Sequence, residues 1–226
     1  MRTDEFEVNG YKATVLIPDN PNGKWIWKTE FFYAFDQAEQ ALFEKGYTRV
    51  YYCISDKYGS DDAVRLMADF HATLTEKYTF LAPQTILFGF SRGGLYAFNY
   101  AFKYPDRVSK IYLDAPVMNL KSWPPQGSVE QAQFFEEYGI DACLFKDFRS
   151  SPIDKIEEFS KNGIPVLLIV GGNDSVVPFE ENSKIMLDYY RRAGLDIDFY
   201  NKEECGHHPH SLEDVSPIVE FVEKAC

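Results

Sequence analysis

Short apolar runs alternate with longer segments of helical spacing along most of the chain. The apolar runs predict strands at residues 12–17, 24–27, 49–55, 84–90, 108–114, 165–170 and 196–200. Helical spacing dominates residues 61–78 and the stretch after Gly93, where Leu95, Phe98 and Phe102 recur on one face. This alternation predicts an α/β protein with a largely parallel sheet and helices on both faces.

The first 46 residues add an antiparallel start and a further helix. Asn9-Gly10 is the dipeptide best suited to a two-residue hairpin turn between strands. Residues 29–44 predict a helix that ends at Gly46. Its apolar stripe consists of Phe32, Phe35, Ala38 and Leu42.

A serine occupies the turn between the strand at 84–90 and the helix that follows it. Gly89-Phe90-Ser91-Arg92-Gly93 fits the G-x-S-x-G pattern, in which a sharp strand-to-helix turn exposes a serine hydroxyl at the top of a sheet. Side chains at Gly89 and Gly93 would collide with the neighbouring strand or helix. The pattern predicts Ser91 as a nucleophile.

A serine hydroxyl needs a base to remove its proton. In sheets of this kind the histidine comes last in chain order. His207 follows Gly206 just beyond the final predicted strand and is the preferred base, with His208 as the alternative. His71 lies on the stripe of the helix at 61–78 and is predicted to pack in the core.

The base in turn needs an acid that orients its imidazole. Asp174 directly follows the strand at 165–170, within a tight turn, and is the preferred acid. Asp114 also ends a strand and is the alternative, because it lies one strand closer to Ser91. Either aspartate has the simpler interpretation of a turn or capping residue.

Two backbone N–H groups are needed to stabilise the oxyanion of a tetrahedral intermediate. One is predicted at Arg92, the residue after the serine, whose side chain has the alternative of an ion pair with the scaffold. The other is predicted in the loop after the third strand, with Trp27 as the first choice and Lys28 as the second.

Three histidines within residues 207–210 raise the question of a metal site. Adjacent His207 and His208 are expected to point apart, and no carboxylate-bearing helix supplies further ligands at a recognised spacing. We therefore expect no metal and no cofactor.

The alternation of predicted strands and helices is interrupted over residues 115–162. This insertion contains Trp123-Pro124-Pro125, an aromatic helical stretch around 134–138, and Ser151-Pro152 at the start of a short helix. It begins at the end of a strand, on the same edge as the serine turn. The position favours a lid or pocket wall within one domain over 1–226, and a decorative excursion is the alternative.

The net charge and the cysteine spacing limit the classes of binding partner and indicate the cellular compartment. A net charge of -12 disfavours nucleic acids and anionic membranes, which need clustered Lys and Arg. The sequence has neither a signal-peptide pattern nor an apolar stretch of about 18 residues. The cysteines at 53, 143, 205 and 226 have no C-x-x-C spacing, which favours reduced thiols in a cytoplasmic protein. The oligomeric state is left open.

These residues resemble the α/β-hydrolase superfamily over nearly the whole chain. The resemblance rests on residues 89–94, the acid loop at 166–178, Gly206-His207, and residues 56–60. Residues 25–28 and 206–211 are similar to a bacterial group of small serine esterases, mostly described only as hydrolases. Many members have His-Gly in the oxyanion loop, where this chain has Trp27-Lys28.

The resemblance implies the α/β-hydrolase fold, with an eight-stranded, mostly parallel sheet and an esterase-like triad of Ser91, Asp174 and His207. We therefore predict a serine hydrolase that cleaves small-molecule carboxylic esters. Aromatic residues in the insertion, together with Trp25 and Trp27, favour a small or sugar-linked acyl group such as acetyl. The alternatives are a peptidase or thioesterase with the same triad, and a ligand-binding protein without catalysis.

Overall fold

An eight-stranded sheet forms the centre of the molecule in the computed structural model, which describes residues 1–225. Its strands are β1 (Arg2–Val8), β2 (Tyr11–Ile17), β3 (Trp25–Lys28), β4 (Thr48–Tyr52), β5 (Thr85–Phe90), β6 (Val108–Asp114), β7 (Val166–Gly171) and β8 (Asp198–Lys202). The spatial order is β1-β2-β4-β3-β5-β6-β7-β8. β2 runs antiparallel to its neighbours β1 and β4, and the other neighbouring pairs are parallel, so the predicted mostly parallel sheet is confirmed.

Helices cover both faces of the sheet. They are α1 (Gln37–Glu44), α2 (Asp61–Lys77), α3 (Gly93–Lys103), α4 (Val129–Tyr138), α5 (Ala142–Phe145), α6 (Ile156–Ser160), α7 (Ser183–Ala193) and α8 (Ser216–Glu223). The apolar residues of α1 and α8 pack on one face, and those of α2, α3, α6 and α7 pack on the other. Within residues 1–225, no helix has both the length and the apolar character needed to span a bilayer.

The antiparallel start is a two-residue hairpin between β1 and β2. Asn9 and Gly10 have φ angles of 51° and 81°, as a type I′ turn requires. The predicted hairpin is confirmed.

Among the cysteines, Cys53 and Cys143 are exposed and Cys205 is half-buried, all as free thiols, while Cys226 lies outside the described residues.

The helix predicted over 29–44 is wrong in its first half, because α1 begins only at Gln37. The preceding segment is a loop in which Phe31 and Phe35 adopt left-handed backbone angles of 56° and 51°. A buried Lys28 holds the loop, since its Nζ donates to the carbonyl of Ala34 at 2.5 Å. Tertiary contacts here override a helical stripe of apolar residues.

The Lys28 ammonium also pairs with the Glu39 carboxylate of α1 at 2.6 Å, with both side chains 1% exposed. Burial lowers the pKa of Lys28 and raises that of Glu39, while each charge opposes the shift of the other. This ion pair fixes α1 to the end of β3, under the loop at 29–36.

The insertion at 115–162 lies between β6 and β7 and contains α4, α5 and α6. Its aromatic residues pack mainly on one another, around the fully buried ring of Phe134. From α4, Glu137 accepts hydrogen bonds from Lys57 and Ser60, which anchors the insertion to the segment after β4. It starts at the same sheet edge as the end of β5, and its role as a lid stays a prediction.

We predict that Glu39→Leu lowers the free energy of unfolding by about 3–5 kcal/mol, because it leaves the Lys28 charge buried without a partner. The double variant Lys28→Met/Glu39→Leu should lose less than the single variant, since it removes both charges. Urea titration followed by circular dichroism measures both. Asp188→Asn, which breaks the exposed pair with Lys184, is the control and should change stability far less. Equal losses for Glu39→Leu and the double variant would contradict the interpretation.

Candidate active site

Ser91 follows the last residue of β5 and has a left-handed φ of 49°, which is strained for a residue with a side chain. Backbone hydrogen bonds hold this conformation: its N–H donates to the carbonyl of Asp114 at 2.9 Å. Its carbonyl accepts from the N–H groups of Gly94 and Val117, both at 2.9 Å. The turn thus presents the hydroxyl at the carboxyl-terminal edge of the sheet.

Close packing around this turn requires glycine. A Cβ at Gly93 would lie 2.9 Å from Thr29 Oγ1, and one at Gly89 would lie 2.8 Å from the Cβ of Ala97. The steric prediction is right for both glycines. At Gly93 the close approach also permits a hydrogen bond, in which Thr29 Oγ1 donates to the Gly93 carbonyl at 2.8 Å.

The structure brings Ser91, His207 and Asp174 into one hydrogen-bonded chain. His207 Nε2 lies 2.8 Å from Ser91 Oγ, and His207 Nδ1 lies 2.7 Å from Asp174 Oδ2. The side chains of His207 and Asp174 are 7% and 2% exposed. Because the carboxylate accepts from Nδ1–H, the lone pair of Nε2 faces the serine hydroxyl.

Asp174 lies in the turn directly after β7 and is held from both sides. Its Oδ1 accepts from the N–H groups of Val176 and Val177, both at 2.9 Å. Burial alone would raise the pKa of Asp174, but the hydrogen bonds from His207 and Val177 outweigh burial and lower this pKa. The carboxylate is therefore ionised at neutral pH, as an acceptor for His207 must be.

The acid turn and the histidine loop dock directly on one another. Asn173 N–H donates to the carbonyl of Cys205 at 2.9 Å. A Cβ at Gly171 would lie only 2.0 Å from the carbonyl oxygen of Gly206, so the two backbones approach as closely as glycine allows. This docking sets the position of His207 relative to Asp174.

The alternative acid and a neighbouring histidine form a second buried pair. Asp114 Oδ1 lies 2.7 Å from Nδ1 of His210, and Asp114 Oδ2 accepts from the hydroxyl of Tyr112 and the N–H of Ser211. Asp114 therefore engages His210 rather than His207.

His71 is 5% exposed and packs beside Trp25 in the core.

His207 and His208 do not point apart, contrary to the expectation from the sequence. Their ring centroids lie 4.9 Å apart, and His208, the alternative base, is exposed and stacks on Phe35. It is His207 whose Nε2 meets the serine hydroxyl.

Trp27 and Lys28 are not placed to donate to an oxyanion. Both lie inside β3, which is paired with β4 and β5, and the N–H of Thr29 still donates to the Phe88 carbonyl at 3.0 Å. Because the sheet extends to this point, the free amides start later in the loop. Within residues 1–225, the N–H groups of Glu30, Phe31 and Arg92 have no hydrogen-bond acceptor.

The Arg92 side chain forms an ion pair with the scaffold, which is the alternative interpretation of its charge given above. Its Nη2 lies 3.4 Å from Oε2 of Glu30, which also accepts from Ser55 Oγ at 2.9 Å. Burial raises the pKa of Glu30, and the nearby Arg92 opposes this rise. The pair links the loop after β3 to the first turn after Ser91.

Trp25 and Trp27 do not form the expected stacking surface. Trp25 and Trp27 are 0% and 1% exposed, and Trp27 packs against Phe70 and Tyr100 in the core. A cavity of about 480 Å³ lies at the opposite, amino-terminal edge of the parallel strands and is lined by residues such as Lys110, Pro165 and Phe221. Neither feature supports a sugar-linked acyl group.

Comparison with known proteins agrees with the architecture. Residues 46–140 match a family model described as the alpha/beta hydrolase fold. No curated protein matches the sequence.

Several solved structures share this fold at low identity. A Mycobacterium tuberculosis puromycin-hydrolyzing peptidase superimposes with a TM-score of 0.71 and 15% identity, over 98% of this chain and 38% of its own. A Pyrococcus horikoshii acylaminoacyl peptidase gives 0.67 and 16%, over 91% and 37%. Porphyromonas gingivalis dipeptidyl peptidase 4 gives 0.67 and 14%, over 91% and 32%. The chain thus spans less than two fifths of the length of these structures, and the likeness concerns the fold.

We predict that a carbon-13 NMR titration of Asp174 gives a midpoint below 3.8, the ordinary value for an aspartate. Because folding lowers this pKa, the stabilisation is complete above the unfolded-state pKa and is lost as the pH falls through the folded value. In His207→Ala the midpoint should rise, since burial remains and a hydrogen-bond donor is lost. An unchanged midpoint in that variant would refute the assignment of the bond.

Proposed function

Since this chain has the α/β-hydrolase fold, we propose that it is a serine hydrolase that cleaves carboxylic esters through an acyl-enzyme. The proposal rests on one observation, a chain of two hydrogen bonds. Nδ1 of His207 lies 2.7 Å from the buried carboxylate of Asp174, and Nε2 of His207 lies 2.8 Å from the hydroxyl of the strained Ser91. This is the arrangement that makes a hydroxyl nucleophilic at neutral pH.

In the proposed reaction Ser91 Oγ attacks the ester carbonyl and passes its proton to Nε2 of His207. Asp174 keeps the imidazole oriented and stabilises its charged form. The unpaired N–H of Arg92 and those of the Glu30–Phe31 segment stabilise the oxyanion. His207 then protonates the leaving alcohol, and a water molecule, activated by the same imidazole, releases the acid from Ser91.

A peptidase is the second candidate, and the structural neighbours favour it. The three solved structures described above are all peptidases by name. The same three residues serve peptide hydrolysis, in which His207 protonates an amine rather than an alcohol. The shape of the substrate site decides between the two leaving groups.

We predict that a fluorophosphonate probe labels the wild-type chain and does not label Ser91→Ala, because only an activated serine reacts with it. Labelling is read by in-gel fluorescence and intact-mass spectrometry. Ser55→Ala provides a matched serine control and should retain labelling. Equal labelling of wild type and Ser91→Ala would refute the assignment of the nucleophile, and a protein that never reacts would favour ligand binding without catalysis.

We predict that Asp174→Asn lowers kcat by roughly 10⁴, because the amide favours the wrong tautomer of His207. Asp114→Asn should lower kcat far less, since Asp114 contacts His210 instead. The rates are measured with p-nitrophenyl acetate, an aminoacyl anilide and an acyl thioester, which also ranks the three leaving groups. The reverse order of the two variants would transfer the role of the acid to Asp114.

A further inference from the structure

His207, His208 and His210 form a compact cluster beside the serine. Their ring centroids are 4.9, 4.9 and 5.0 Å apart in the three pairs, with interplanar angles of 66°, 80° and 89°. One nitrogen from each ring lies within 4.8 Å of the others. The serine mechanism uses only His207, so the arrangement of the other two has no explanation in it.

This spacing is close to that of three imidazoles on one tetrahedral metal ion. With metal–nitrogen bonds of about 2.0–2.1 Å, three such rings have centroids about 5 Å apart. The rings of the cluster already have these separations.

Two of the three imidazoles carry the outer partner that metal-binding histidines usually have. Nδ1 of His207 lies 2.7 Å from Asp174, and Nδ1 of His210 lies 2.7 Å from Asp114. A carboxylate at Nδ1 fixes the tautomer and leaves the Nε2 lone pair free for a metal. Within the described part of the chain, Nε2 of His210 has no hydrogen-bond partner.

The third imidazole provides access from solvent. His208 is exposed, whereas His210 is only 5% exposed. A cation can therefore reach the cluster from the His208 side.

We propose that His207, His208 and His210 bind a divalent zinc ion that reversibly blocks the active site. Nitrogen ligands select zinc and related transition metals over Mg²⁺ and Ca²⁺, which prefer oxygen. The ion occupies the Nε2 lone pair of His207, and a water molecule completes the tetrahedron. His207 then no longer accepts the proton of Ser91, which lies 2.8 Å from the same nitrogen.

The first experiment measures zinc binding without reference to activity. Calorimetry of the full chain carrying Ser91→Ala should show one Zn²⁺ per chain, and no heat of binding with Mg²⁺. In this background His208→Ala should weaken the affinity at least about tenfold, and Asp114→Asn about 10- to 100-fold through its effect on His210. Cobalt substitution should give the visible absorption of a tetrahedral site.

Cys205→Ser is the matched control for binding by a nearby thiol and should leave the zinc affinity unchanged. Because His208 is exposed, its substitution is compatible with folding, which circular dichroism checks. Absence of zinc binding, or equal affinity with and without His208, would overturn the proposal.

The second experiment tests inhibition and rests on the proposed function. Zinc should suppress ester hydrolysis by the wild-type chain, and EDTA should restore it. The inhibitory concentration should rise in His208→Ala by the same factor as the dissociation constant. Inhibition that is unaffected by His208→Ala would contradict the proposed site. Zinc binding in a chain without esterase activity would support the site and refute the proposed esterase.

Discussion

The left-handed backbone of Ser91 is the constraint on which the arrangement of the site depends. Such a conformation costs about 1–3 kcal/mol and persists only where the surroundings impose it. Two hydrogen bonds impose it here. The Ser91 N–H donates to the carbonyl of Asp114 at the end of β6, and the N–H of Val117, in the segment after β6, donates to the Ser91 carbonyl. The sheet edge and the start of the insertion therefore define the direction of the hydroxyl.

The loop after β3 is fitted to this turn by contacts on two sides. On the side of α3, the hydroxyl of Thr29 donates to the carbonyl of Gly93, and Glu30 pairs with Arg92. On the side of α1, the buried Lys28 pairs with Glu39 and donates to the carbonyl of Ala34. A loop that is anchored in this way holds its free N–H groups near the serine although residues 27–31 contain no glycine.

Local patterns in the sequence were sufficient to predict the sheet and the neighbourhood of the serine. Strands alternate with helices, and the G-x-S-x-G pattern determines a specific turn, so the position of Ser91 followed from residues close together in the chain. Asp174 and His207 were chosen by their order and by the strand ends, and their convergence is a property of the parallel sheet. Their catalytic roles remain proposals.

The errors arose where long-range contacts decide the conformation. The apolar stripe at residues 29–44 also suits a loop folded around a buried lysine, and the sequence does not show that Phe31 and Phe35 become left-handed. Trp25 and Trp27 are apolar on either interpretation, so only the structure distinguishes core from pocket. The histidines lie in a loop without periodicity, and their mutual orientation was not predictable from spacing.

The tight contact between Gly171 and Gly206 has a consequence for how the site moves. Because the acid turn and the histidine loop share a backbone interface, they are expected to shift as a rigid body. A shift of these two segments together would lengthen the distance between the His207 imidazole and the Ser91 hydroxyl and leave the hydrogen bond between Asp174 and His207 intact. Substrate entry and product departure can in this way proceed without loss of the hydrogen bond between Asp174 and His207.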